Sequence, residues 1–189
     1  SMHDQIKTAI HLYGKGIAVS CPSIDSLGIC RGIIFRILHY KKSEKSIKNI
    51  YKFYNPFSWS YIFNFRTIEH YDELIMVEGV TDAMALIRAG YPNVISPSMV
   101  RLSPYHTRVL KNKKLHVLFD RDRGGLEGLR FIKDHADSST NLVTLALCPT
   151  ERDFDEMSMQ EIEEYMSNVS KYDVRNLTSS PPEKHGVNK

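Results

Sequence analysis

The 189-residue chain has no apolar run near the ~18 residues that cross a bilayer, and no amino-terminal signal pattern, which argues against a helical membrane protein. Cysteine is scarce. Cys21, Cys30 and Cys148 are odd in number and far apart, so they form neither a disulfide framework nor a zinc knuckle, and they point to a reducing, cytoplasmic setting. The eight histidines are scattered without metal-ligand spacing, and no internal repeat is present. Ser1 ahead of Met2 reads as a residue left by cleavage. What remains is ordinary for a globular protein: 42% hydrophobic and 25% charged residues, enough for one domain or for a small domain with an appendage.

The net charge of +3 conceals a partition. Residues 1–71 carry 10 Lys/Arg against 4 Asp/Glu, residues 72–168 carry 11 against 16, and residues 169–189 carry 4 against 2. A basic first part beside an acidic second suits a protein that grips a phosphate backbone with one and cations with the other, although ordinary solvated lysines give the same count.

From Leu74 to about Asn168, strand and helix patterns alternate with short connections. Strands are expected at Leu74–Glu78, Asn93–Ser96, Leu115–Phe119 and Asn141–Leu147. Helices are expected at Asp82–Ala89 with Thr81 as N-cap, from Ser103-Pro104 to about Leu110, at Gly125–Ala136, and from the capping box Ser158-Met159-Gln160-Glu161 through Met166. Such alternation predicts an α/β fold, a parallel sheet covered by helices on both faces. Residues 1–71 read as a smaller basic α+β subdomain. It has a helix over His3–Tyr13, a hairpin of Ile29–Tyr40 and Asn49–Tyr54 with its turn at Lys41–Ser46, and an alternating aromatic strand through Phe57, Trp59, Tyr61, Phe63 and Phe65. The polar tail, residues 169–189, is expected to be disordered.

Two acidic motifs carry the functional signal. Leu74-Ile75-Met76-Val77 runs into Glu78-Gly79-Val80-Thr81-Asp82, and Leu115-His116-Val117-Leu118-Phe119 runs into Asp120-Arg121-Asp122-Arg123-Gly124-Gly125. A third cluster, Asp153-Phe154-Asp155-Glu156, follows the fourth strand. Taken singly, each has a bland explanation: Asp82 complements a helix dipole, and Asp-x-Asp-x-Gly-Gly is a tight turn. Together they fall at the carboxyl ends of parallel strands, the rim where open α/β sheets bind ligands. Carboxylates gathered there repel one another unless a divalent cation holds them, and an oxygen-only donor set suits Mg²⁺, with Mn²⁺ as a substitute.

Glu78-Gly79-x-x-Asp82-Ala83, then Ala89-Gly90-x-x-Asn93-Val94, then Asp120-x-Asp122-x-Gly124-Gly125 resembles the Toprim domain in the version found in bacterial DnaG-type primases and phage primase-helicases. The likeness covers about residues 72–166, with Asp153-Phe154-Asp155-Glu156 similar to the late acidic stretch of those primases, and Gly32-Ile33-Ile34-Phe35-Arg36 similar to the strand that leads into their basic hairpin. The resemblance implies a Toprim-like four-stranded parallel sheet and a primase-type nucleotidyl transferase that makes RNA primers. It implies Glu78 as the acid–base residue near the metal, Asp120 and Asp122 as Mg²⁺ ligands, and Asp82, Asp153 and Asp155 as further acids holding metal. It also implies single-stranded DNA and ribonucleoside triphosphates as partners, with a replicative helicase as a further one. Ser98-Met99-Val100-Arg101 departs from the small or glycine residues usual there; Met99 crowds a phosphate while Arg101 offers a replacement contact. With no zinc module ahead of the motifs and no helicase segment after them in this sequence, the resemblance implies a primase core or an excised piece of a primase.

Arg36, charged among apolar strand neighbours, is the first candidate for nucleotide phosphate, ahead of Lys41, Lys42 and Lys45, whose ordinary role is a solvated turn. The aromatic alternation is expected to be a buried face rather than a base-stacking platform, and His39, His116 and Cys148 are expected to be structural. Two other readings stay open: a Toprim-family metal-dependent nuclease, and a non-catalytic nucleic-acid-binding adaptor.

Overall fold

The computed structural model describes residues 9–13, 16–25, 27–37, 51–54, 60–98, 101–150 and 152–175. Its first part is an antiparallel meander of β1 (Ala9–Tyr13), β2 (Gly16–Ile24), β3 (Cys30–Ile37) and β4 (Tyr51–Tyr54), each strand beside the next in sequence. β3 and β4 pair antiparallel as expected, with Ile33 opposite Tyr54 and Arg36 opposite Tyr51, while the expected turn at Lys41–Ser46 lies outside the described residues. Two readings are corrected. Residues 9–13 lie in a strand rather than a helix, because Ile10 pairs with Val19 and Leu12 with Ile17. β2 went unrecognised because Pro22 argues against an inner strand. Among the described residues, pairing with β1 ends at Ala9 with Ser20, and Pro22 is paired with Ile33 of β3.

The second part is a parallel sheet in the order β6-β5-β7-β8, made of β5 (Glu73–Val77), β6 (Val94–Ile95), β7 (Lys114–Phe119) and β8 (Asn141–Leu147). Both of its faces are covered, which is why its strands read as largely apolar runs, interrupted at His116 in β7 and Thr144 in β8. On one face Ile75, Val77, Leu118 and Ala146 pack with α2 (Val80–Arg88) and α5 (Met159–Ser167) through Val80, Ala83, Leu86, Ile162 and Tyr165. On the other, Leu74, Met76, Val117 and Leu145 pack with α3 (Pro104–Val109) and α4 (Arg123–His135) through Leu110, Leu129 and Ile132. Each such fully buried aliphatic side chain contributes about 1.5–3 kcal/mol. The helix α2 begins at Val80 with Gly79 as N-cap, so Thr81 is inside the helix and caps nothing. Ser103 and Ser158 do cap their helices, with His106 and Glu161 as the reciprocal partners.

A strap joins the two sheets. Tyr61, Ile62, Phe63 and Phe65 are all buried, yet only Phe63 makes a bridge, to Ser96, and Asn64 turns the chain with φ of 57°. Alternation therefore does not mark a one-faced strand here. Tyr61 and Phe63 enter the core that includes Cys21 and Ile34, while Ile62 and Phe65 enter the opposite one. Phe57 and Trp59 lie outside the described residues. The strap runs on into the short α1 (Thr67–His70).

The expected disorder of residues 169–189 is corrected over 169–175. After a 3-10 turn at Val169–Tyr172, Asp173 bridges to Ala146 and Val174 N–H donates to Leu145 O at 2.7 Å. Arg175 donates to the carbonyls of Leu142 and Val143 and pairs with Asp173 at 2.6 Å. The physical reason is the open edge of β8, whose backbone groups need partners. Residues 176–189 lie outside the described residues. Among the described residues no helix is long and apolar enough to cross a membrane.

Candidate active site at the carboxyl rim of the parallel sheet

The strand order sets the site. From β5 the chain crosses to β6 on one side, and the next strand, β7, lies on the other side of β5. The helices that follow β5 and β7 cover opposite faces, so the loops beyond these two strands diverge and leave a crevice between them. Glu78 ends β5 at one lip and Asp120 ends β7 at the other.

Glycine makes the close approach possible at two points. A Cβ on Gly79 would run into Asp82 Oδ2, so only glycine lets the Asp82 carboxylate fold back over the end of β5. A Cβ on Gly125 would strike the backbone carbonyl of Asp120, so glycine lets α4 start directly against the end of β7. Asp122 N–H donates to Asp120 O at 2.8 Å, and Asp122 Oδ1 accepts from Gly125 N–H at 2.8 Å as the α4 N-cap. The turn-and-cap explanation of Asp122 is thus correct for one of its oxygens.

The third acidic cluster is held beside the first two. Phe154 is buried and anchors a 3-10 turn at Phe154–Glu156, with Asp153 and Asp155 exposed on either side of it. Arg121 donates to Pro149 O at 3.0 Å, Cys148 Sγ to Arg152 O at 3.3 Å, and Arg152 pairs with Glu161 of the α5 capping box. Neither Arg121 nor Arg152 was singled out from sequence, where a charge beside an acidic motif looks like solvated surface.

Electrostatics report the convergence of the acids. Burial, followed by the charges of Asp120, Asp122 and Asp153, pushes Glu78 up to about 7. Burial, followed by the charges of Asp120, Asp155 and Asp153, pushes Asp82 up to about 7, against the pull of the Asp155 backbone hydrogen bond. Burial, with Asp120, Asp82 and Asp153 nearby, raises the Cys148 thiol to about 12, an inert core cysteine. Glu78 therefore senses Asp120, Asp122 and Asp153, and Asp82 senses Asp120, Asp153 and Asp155, although these acids come from loops after three strands. Glu78 Oε2 and Asp82 Oδ1 are buried without a hydrogen-bond partner among the described residues. Among those residues no three Asp, Glu, His or Cys side chains close into a ready-made metal cage. Orphaned carboxylate oxygens in an all-oxygen setting nevertheless fit a hard divalent cation that takes one or two protein ligands and brings the remainder as water or phosphate.

The basic candidates fare differently. Arg36 lies in β3, while Lys41, Lys42 and Lys45 lie outside the described residues. Arg101 is exposed and stands with its guanidinium 5.9 Å over the Phe131 ring of α4, within electrostatic reach of Glu127. His116 bridges Glu73 and Thr144 at 2.7 and 2.9 Å, joining three strands at the opposite end of the sheet from the acids. His106, not singled out from sequence, donates from Nε2 to Tyr61 O at 2.9 Å and accepts from Ser103 N–H at Nδ1, which ties α3 to the strap.

Residues 75–158 match the Toprim-like family, and this segment is similar to a stretch of DnaG primases. Among curated relatives, the chain is 32% identical over 104 residues to DNA primase DnaG of Ignicoccus hospitalis, covering 54% of this chain and 23% of the relative. It is 35% identical over 100 residues to DNA primase DnaG of Sulfolobus acidocaldarius, covering 51% and 24%. The chain thus spans about a quarter of the length of these relatives. The fold is similar to part of a solved structure of the Aquifex aeolicus primase that holds its zinc-binding and RNA polymerase domains, with TM-score 0.63 and 20% identity over 84% of this chain and 43% of that one. A DNA primase domain from Pseudomonas aeruginosa gives TM-score 0.63 and 18% identity over 90% and 58%.

Proposed function

We propose that this chain is the catalytic core of a primase, joining ribonucleoside triphosphates on a single-stranded DNA template. The observation that carries the reading is the acidic crevice in which Glu78 meets the charges of Asp120, Asp122 and Asp153, and Asp82 those of Asp120, Asp153 and Asp155, with buried Glu78 Oε2 and Asp82 Oδ1 lacking hydrogen-bond partners among the described residues. The likeness to DnaG primases supports it, and a DnaG catalytic domain of this fold has been solved bound to single-stranded DNA.

In this reading Asp120 and Asp122 hold Mg²⁺ or Mn²⁺, with Glu78, Asp82, Asp153 and Asp155 completing the acidic surround. The cation, when bound, neutralises charge on the triphosphate and lowers the pKa of the attacking hydroxyl. The chain's own residues do the rest. Glu78, raised to about 7, is matched to accept the proton of a 3′-hydroxyl near neutral pH. The 3′-oxygen then forms its bond to the α-phosphorus while the α–β phosphoanhydride bond breaks, and pyrophosphate leaves. Residues 1–71 serve as the template-side subdomain, with Arg36, Lys41, Lys42 and Lys45 toward phosphate. Residues 72–168 carry the chemistry, with Arg101 as a further phosphate contact.

Purified protein with Mn²⁺ or Mg²⁺, the four NTPs and single-stranded DNA is expected to yield short RNA, and Asp120→Ala to yield none. Degradation of the DNA or RNA instead would establish the nuclease reading. Binding with neither reaction would establish the adaptor.

A further inference from the structure

We infer that Ser96 is a positioning residue for Glu78. The inference rests on the primase-type reading of the acidic crevice. β5 and β6 pair only through Ile75 with Val94 and Met76 with Ile95, so the ladder between them ends before β5 reaches Glu78. The Ser96 hydroxyl takes over there, donating to the Glu78 carbonyl at 2.8 Å. Ser96 is fully buried and held on every side. Phe63 N–H of the strap donates to its carbonyl at 2.7 Å, and its own N–H donates to Phe63 O at 3.4 Å. Its Oγ also accepts from Ser98 N–H at 3.1 Å. Ser98 has φ of 53°, a left-handed conformation that a serine keeps only when its surroundings impose it.

This hydroxyl therefore fixes the Glu78–Gly79 peptide just beyond the end of β5, and with it the direction in which the Glu78 side chain leaves the backbone. Without it, the Glu78 carbonyl and the Ser98 N–H both lose a partner inside the protein, and the Glu78 peptide can rotate. Ser96 touches no reacting atom in this scheme; it acts through Glu78.

The test is a double-mutant cycle read by Mn²⁺ titration followed by electron paramagnetic resonance, using the full chain. Ser96→Ala is expected to weaken Mn²⁺ binding about fivefold in the wild-type background, the usual worth of one hydrogen bond, and to change it little in a Glu78→Gln background. In primer synthesis it is expected to lower kcat and leave KM for NTP nearly unchanged. Equal weakening in both backgrounds, or none in either, would overturn the inference, since Ser96 would then act on the fold at large or not at all. If the wild-type protein binds no Mn²⁺, the metal-dependent reading beneath the inference fails first and separately. Should Ser96→Ala melt below the assay temperature, Ser96→Cys keeps the volume with a much weaker donor and supports the same comparison.

Discussion

Asp82→Asn is expected to make the metal-free protein more stable. Asp82 is 4% exposed, its Oδ1 has no partner among the described residues, and it faces the charges of Asp120, Asp153 and Asp155. The unfolded chain ionises this group near the ordinary aspartate value of 3.8, whereas the folded chain keeps the proton to about 7. Between those values the folded state binds the extra proton, so its stability falls as pH rises and then levels off. At 1.36 kcal/mol per tenfold, the ceiling on the penalty above pH 7 is about 4 kcal/mol. Burial of the new amide offsets part of the gain, leaving about 2–4 kcal/mol, or roughly 5–15 °C in Tm for a chain of this size. The assay is thermal unfolding of wild type and Asp82→Asn in chelator, from pH 4 to pH 8.5. The gap should be near zero at pH 4, open through pH 5–7 and hold its value beyond. Excess Mg²⁺ at pH 8 should narrow it, because the cation relieves the same repulsion in the wild type. A variant less stable than wild type at pH 8, or a gap that ignores pH, would refute the account of a charge-strained crevice.

Three further outcomes follow from the same geometry. Asp120→Ala should abolish primer synthesis with an unchanged far-ultraviolet circular dichroism spectrum, since the side chain that caps α4 is that of Asp122. Gly125→Ala should cost about 2–4 kcal/mol in denaturant unfolding, because its methyl would meet the Asp120 carbonyl, which is backbone and cannot swing aside. Asp173→Ala should cost about 1–3 kcal/mol and increase aggregation on light scattering, because Leu145 N–H and the Arg175 guanidinium both lose their carboxylate at the edge of β8.

The elements that carry the site were legible in sequence for a local reason. Each strand of the parallel sheet is a mostly apolar run, and α3 and α5 open on Ser103 and Ser158, whose side chains cap them. Those signals act over a few residues. The meander was less legible: β2 hides behind Pro22, and residues 9–13 become strand only by pairing with 16–20. The strap misleads because its aromatic alternation serves two cores and not one face.

By itself, the amino-acid order determined that acids end the strands after Val77 and Phe119 and that glycine follows each set, because these are properties of adjacent residues. Tertiary structure alone decided that β7 lies beside β5 with β6 on the far side, opening a crevice where Glu78 and Asp82 meet the charges of Asp120, Asp122, Asp153 and Asp155. It alone placed the hydroxyl of Ser96 on Glu78, 18 residues away in the chain. Burial and mutual repulsion then raise Glu78 and Asp82 to about 7, a consequence of distance and exclusion of water that no linear pattern encodes.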